Sequence, residues 1–254
     1  MQLVETHAHI YLDQFKEDID EVIESARAKG VEKIYLPNID SRSIDAMLEL
    51  EYRYPGYCIP MMGLHPCSVN KDFEKELYVV EEWINRRDFV AIGEMGTDLF
   101  WDKSFYEEQK EAFRIQSRWA IEKNIPIVIH CRESIDETID LVSQLNSDKF
   151  RGIFHCFTGT SDQAKQIIDM GFLLGIGGVA TFKNGGMEPV LEAIPLDHLV
   201  LETDSPYLTP APHRGKRNQP AYLELVAQKI ATVKNMTINE VAEATSANAY
   251  RIFN

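Results

Sequence analysis

The segment MQLVETHAHIYLD sets two histidines two residues apart, His7 and His9, at the end of a short apolar run. In a strand, residues i and i+2 share a face, so both imidazoles project the same way and one metal ion can accept both. Comparable residue types close other apolar runs: His65 in CIPMMGLHP, Glu94 in VAIGEMG, His130 in PIVIHCR, His155 in GIFHCF, and Glu202 with Asp204 in LVLETDSP. Imidazole nitrogens and carboxylate oxygens are the donor set of Mg, Mn or Zn, and a carboxylate can bridge two ions where an imidazole cannot. The chemistry such a set offers is hydrolysis by an activated water at two divalent metal ions.

The elements that must position these groups follow from the alternation of apolar runs with amphipathic stretches. LVETHAH precedes a helix over residues 13–29, KIYLPNI one over 42–54, CIPMMGLHP one over 73–85, and VAIGEMG one over 105–123. PIVIHCR precedes 135–145, GIFHCF precedes 162–170, FLLGIGG precedes 187–193, and LVLETDSP precedes 221–234, with a last helix over 238–252. Eight buried-type strands, each followed by a helix, predict an α/β fold: a TIM-type (β/α)8 barrel of parallel strands, with an extra C-terminal helix, as one domain over 1–254. An open doubly wound sheet is the competing arrangement, but neither GxGxxG after the first strand nor GxxxxGK[ST] is present. In a barrel all strand C-termini meet at one mouth, and five of the seven histidines fall there.

Closure makes the first and eighth strands neighbours, so His7, His9 and Asp204 are expected to hold one ion. His130 and His155, from strands five and six, are expected to hold the other, with Glu94 as the bridge between them. Glu202, two residues from Asp204, is expected to orient a ligand or water by hydrogen bonding. Cys131 and Cys156 follow ligand histidines and are expected to point out toward the helices, as small hydrophobes rather than ligands. Asp204 is the candidate general base, and His65, outside both groups, is free to hydrogen-bond a substrate phosphate.

Arg132 and Arg214 are the candidate phosphate contacts, Arg214 lying in HRGKRNQP with Lys216 and Arg217. Lys183 in GGVATFKNGG is a further cation near the mouth, and Tyr207, Phe100 and Trp101 are aromatics that could stack on a base.

A formal charge of −14 excludes a broad basic face that coats nucleic acid, but not a nuclease whose ions bring positive charge to the phosphate. With 44% hydrophobic and 26% charged residues the composition is ordinary and globular, and no apolar stretch approaches the ~18 residues of a membrane span. The opening segment does not read as a secretory leader, and the four cysteines are dispersed without a CxxC pair, so they are expected to be reduced. A cytoplasmic protein, with no membrane association and no obligate protein partner, is the expectation.

The motifs THAH, GLHP, GEMGTD, IHCR, HCFTG, ETDSPYL and PHRGKRNQP occur in that order, and with them the chain resembles the TatD family of metal-dependent hydrolases, within the amidohydrolase-like barrels. The resemblance implies His7, His9, Glu94, His130, His155 and Asp204 as metal ligands, and activity like that of 3'-5' exonucleases and deoxyribonucleases that require Mg or Mn. DNA or another nucleic acid is the substrate it implies at the barrel mouth. Thr97 and Leu99 depart from the family pattern around GE-x-G-x-D, which bears on the loop facing substrate.

An acyl or amide hydrolase on the same dinuclear site, such as a D-aminoacyl-tRNA deacylase, is the alternative reaction. Glu94 stands where barrels with a carbamylated-lysine bridge need lysine, which tilts the reading toward phosphate esters. A non-catalytic metal-binding barrel is the remaining alternative.

Overall fold

The computed structural model describes residues 1–145 and 147–254. Eight strands, β1 Leu3–Glu5, β2 Val31–Pro37, β3 Cys58–Met61, β4 Ile92–Asp98, β5 Ile127–Arg132, β6 Gly152–Phe154, β7 Leu173–Ile176 and β8 Leu199–Leu201, alternate with helices. These are α1 Ile19–Ala28, α2 Ile44–Arg53, α3 Phe73–Arg86, α4 Tyr106–Lys123, α5 Ile135–Ser143, α6 Ser161–Asp169, α7 Glu188–Ala193 and α8 Leu223–Lys234, followed by α9 Ile238–Phe253.

All neighbouring strands pair in parallel, in the runs β1-β2-β3 and β4-β5-β6-β7-β8. Backbone hydrogen bonds join the two runs at both seams. Gly93 N–H donates to Met62 O at 3.0 Å beside the Met62–Ile92 bridge, and Thr6 N–H to Leu201 O at 3.0 Å. His9 N–H donates to Ser205 O at 2.7 Å beside the Ala8–Ser205 bridge, so the strand ends that carry the candidate ligands meet across a closing seam.

Local sequence explains where several helices start and stop. Thr160 and Thr237 cap α6 and α9 with reciprocal side-chain bonds to Gln163 and Glu240. Asn124 and Asn235 end α4 and α8 in the left-handed conformation that asparagine tolerates.

One helix differs from expectation: residues 13–15 form a 3-10 turn and α1 begins only at Ile19. The Arg217 guanidinium sits 4.4 Å over the buried Phe15 ring and donates to Gln14 O at 2.5 Å and to both oxygens of Asp18. That carbonyl is thereby spent outside a helical ladder. The other helices begin and end within two residues of the expected positions.

Two apolar clusters hold the molecule. The larger lies between strands and helices, around Ile34, Leu36, Ile127, Ile129, Leu199 and Leu201. The smaller takes Val4, Tyr35, Met61, Ala91, Val128, Ile153, Leu173 and Val200, one from each strand or its approach. Residues from all eight strands can touch only inside the barrel, so this is an interior layer. Ala249, Ile252 and Phe253 of α9 complete it, with the Phe253 ring stacked 4.0 Å from Tyr35. The C-terminal helix therefore plugs the floor of the barrel, and the mouth at the opposite end is left for chemistry.

Candidate metal centre and active site

At the mouth the two oxygens of the buried Glu94 carboxylate face two imidazole pairs, which meet where the His7 and His155 rings stack 3.8 Å apart and where distance also groups both with Asp204. Oε2 lies 3.2 Å from His7 Nε2 and 3.4 Å from His9 Nε2, and those nitrogens are 3.2 Å apart. Oε1 lies 3.0 Å from His130 Nδ1 and 2.9 Å from His155 Nε2, and those nitrogens are 3.3 Å apart. Asp204 Oδ1 closes the first group, 3.8 Å from His7 Nε2 and 3.6 Å from His9 Nε2. Chain positions 7, 9, 94, 130, 155 and 204 thus converge on one small volume.

Partners behind the cage set the histidine tautomers, as assigned from the hydrogen-bond network. Tyr11 O–H donates to Pro37 O at 2.5 Å, so His9 Nδ1–H donates to Tyr11 Oη at 2.9 Å and Nε2 turns a lone pair inward. His130 Nε2–H donates to Asp98 Oδ2 at 2.8 Å, which leaves Nδ1 as its inward lone pair. His155 Nδ1 faces Glu202 Oε1 at 3.3 Å, so its Nε2 looks into the cage.

His65 is the reverse case. It sits closer to the second group than the sequence suggested, with Nε2 3.4 Å from Glu94 Oε1. Its Nδ1 accepts the Cys67 backbone N–H at 2.9 Å, so the hydrogen is on Nε2. Distance alone groups His65 with Glu94 and His130 as a possible metal site. A nitrogen that carries hydrogen has no lone pair for a cation, and His65 is a donor into the cage.

Electrostatics agree with a site built for cations. Glu94 Oε2 is buried with no hydrogen-bond partner. Burial alone would raise the Glu94 carboxyl, yet the field of His65, His155 and His7 holds it well below the usual carboxylate range. Burial pushes Asp204 up to about 6. A buried carboxylate oxygen without a donor, ringed by inward lone pairs, is the environment a divalent ion satisfies. His7, His9, Glu94 and Asp204 could hold one ion, and Glu94, His130 and His155 a second.

Glu202 is fully buried and accepts the Cys156 backbone N–H at 2.6 Å, and a side chain on Gly175 would bring its Cβ within 2.2 Å of Glu202 Oε2. Cys156 does not turn toward the helices: its φ of +47° breaks strand alternation, and the residue lines the cavity above the cage. Cys131 packs partly against the core but also borders that cavity. Neither thiol belongs to a ligand group among the described residues.

The cavity holds about 1370 Å³ and reaches from the cage to Trp101 on one rim and Tyr207 on the other. Arg132 lines it, whereas Arg214, Lys183, Lys216 and Arg217 do not. Arg214 lies 3.6 Å over the Phe182 ring and donates to Thr209 O, and Arg217 is bound to Asp18. Of the basic loop expected to grip phosphate, Arg217 is taken up by Asp18, while Arg214 and Lys216 stay exposed outside the cavity.

Sequence reasoning left Asp98 and Tyr11 without roles. Each lies an even number of residues beyond a candidate ligand, Asp98 four after Glu94 and Tyr11 two after His9, a spacing that hints at the shared face.

Barrel and cage together define a metal-dependent hydrolase. The chain belongs to the TatD family: the model of the family described as TatD related DNase matches residues 4–254. It is 41% identical over 252 residues to YabD of Bacillus subtilis, described as an uncharacterized metal-dependent hydrolase, covering 99% of this chain and 98% of that one. It is 31% identical to a protein of Erwinia tasmaniensis named 3'-5' ssDNA/RNA exonuclease TatD, with 95% of each chain covered. The solved structure of YJJV, a TatD homolog from Escherichia coli, superposes with a TM-score of 0.93 at 27% identity, covering 99% of this chain and 98% of that chain. Among the described residues no helix is long and apolar enough to cross a membrane.

Proposed function

We propose that this chain, as one barrel domain over 1–254, hydrolyses phosphodiester bonds of DNA or a related nucleic acid, working from a 3' end. The observation that carries the reading is the division of Glu94, one oxygen facing His7 and His9 and the other facing His130 and His155. Two divalent ions, Mg, Mn or Zn, held by those groups with Asp204, would lower the pKa of a water and offset phosphate charge.

The residues' own parts follow from their placement. Asp204, at the cavity edge of the cage, takes the proton of the attacking water. His65 donates from Nε2–H to a phosphate oxygen. Tyr11 holds His9 and Asp98 holds His130 by hydrogen bonds, and Glu202 sets a negative charge behind His155. Relatives named as exonucleases support the substrate class.

The apolar part of the cavity wall, with Ile135, Val179, Pro189, Val190 and Leu208, favours a second reading, an acyl or amide hydrolase whose substrate is a carboxylic ester such as a D-aminoacyl-tRNA. Chelator-stripped protein resupplied with Mg²⁺ or Mn²⁺ distinguishes them on three substrates: end-labelled single-stranded DNA, bis(p-nitrophenyl) phosphate and a D-aminoacyl-tRNA. Stepwise shortening of the DNA from its 3' end is expected. Turnover of the ester with both phosphodiesters untouched would overturn the proposal.

A further inference from the structure

Trp101 is 70% exposed and Phe100 42%, side by side on one rim of the mouth with rings 4.8 Å apart and perpendicular. Large apolar rings held open to water beside a cavity call for an occupant. Arg132 lies over them, its guanidinium 3.6 Å from the Phe100 centroid and 5.5 Å from that of Trp101. Among the described residues its side chain makes no ion pair, although the chain carries a charge of −14. Among the described residues it is also the one Lys or Arg that lines the large cavity. An arginine held by ring faces instead of a carboxylate keeps its five N–H donors and its charge for an anion.

This rim is tied to the cage. Asp98 Oδ1 accepts the backbone N–H groups of Phe100 at 2.9 Å and Trp101 at 3.1 Å, while its Oδ2 accepts from His130 Nε2. Leu99 N–H donates to the Arg132 carbonyl at 2.9 Å. Arg132 stands two residues beyond His130 on β5, about 7 Å along the strand. That is the reach of one nucleotide of extended backbone.

We infer that Phe100, Trp101 and Arg132 form a shelf for a single-stranded nucleic-acid end: an unpaired base stacks on Trp101, and Arg132 holds the phosphate next to the one being cleaved. This rests on the nuclease reading and narrows it. A base inside a duplex is already stacked on both faces and has none to offer the shelf, so the substrate is a single strand or a frayed end. A single arginine lining the cavity, among the described residues, suits one phosphate and not the row of contacts a duplex backbone would use.

The test is a cycle on binding. Anisotropy of a labelled single strand is measured with calcium in place of the catalytic ions, using intact or singly abasic strands and wild-type, W101A or R132Q protein. The shelf predicts that an abasic residue at the second position from the 3' end weakens wild-type binding about tenfold, that W101A weakens the intact strand about as much, and that the two losses do not multiply. It predicts the same cycle for R132Q against a neutral methylphosphonate at the neighbouring linkage. Losses that multiply at every position, or duplex bound as tightly as single strand, would overturn the shelf even if cleavage is normal. Protein that shows the cycle but cleaves no phosphodiester with Mg²⁺ or Mn²⁺ would overturn the reaction and leave the shelf standing.

Discussion

Nε2 of His130 donates to Oδ2 of Asp98 across 2.8 Å, and the other oxygen of that carboxylate takes the backbone N–H groups of Phe100 and Trp101. One side chain therefore fixes both a cage imidazole and the aromatic rim. The hydrogen bond from His130, with those two backbone groups, holds Asp98 far below its ordinary range despite the opposing effect of burial. Removing the charge weakens the grip on the His130 tautomer, and Asp98→Asn is expected to lower metal affinity about 10- to 100-fold. Calorimetric titration of chelator-stripped protein with Mn²⁺ measures this, and an unchanged affinity would argue that Asp98 serves the rim alone.

Asp204 carries a pH dependence with a definite sign. Its folded-state value is raised by burial from 3.8 to about 6, so in metal-free protein ionisation opposes folding. That penalty is absent below pH 3.8, grows between 3.8 and about 6, and is complete above. About two units correspond to roughly 3 kcal/mol at most. Metal-free Asp204→Asn protein is therefore expected to melt higher than wild type at pH 7.5, with the gain vanishing near pH 4. Hydrolysis by the same variant is expected to fall at least a hundredfold. Thermal melts at the two pH values, with EDTA, decide the first point.

His65 and the cage imidazoles separate by a different pair of measurements. Because the hydrogen of His65 lies on Nε2, His65→Ala is expected to keep its full complement of Mn²⁺ by elemental analysis. Its kcat is expected to fall 10- to 100-fold as a donor to the phosphate is lost. His155→Ala, in contrast, is expected to lose metal together with activity. A His65→Ala protein short of metal would make His65 a ligand.

The floor of the barrel can be weakened without touching the mouth. Phe253 of α9 is buried and stacked on Tyr35 inside the interior layer. Phe253→Ala is expected to cost about 3 kcal/mol of stability. Denaturant unfolding measures the loss, and metal affinity of the folded fraction should stay within twofold. A larger change in affinity would mean that the floor and the cage are coupled.

The strand ends were legible because apolar runs, even spacing and ligand-type side chains are local patterns, and His7 and His9 declare their shared face within three residues. Convergence of Glu94 with four histidines follows once eight strands are made to end at one mouth. What the chain does not write locally is which partner a long polar side chain finds. Arg214 and Arg217 have the charge and the place of phosphate ligands, yet one lies on Phe182 and the other reaches Asp18, and that second contact also delays α1. Cys156 was placed by strand alternation, which its left-handed backbone interrupts. The tautomers, and so the distinction between His65 and the cage, depend on which atoms of Cys67, Tyr11 and Asp98 meet the imidazoles, a pairing that composition does not specify.

The central claim is that Glu94 offers each of its oxygens to a different cation. Anomalous diffraction from crystals grown with Mn²⁺ tests it most directly. Two separate peaks are expected, one between Glu94 Oε2, His7, His9 and Asp204, the other between Glu94 Oε1, His130 and His155. A single peak that leaves one imidazole pair without metal at saturating Mn²⁺, or no peak at Glu94, would contradict it.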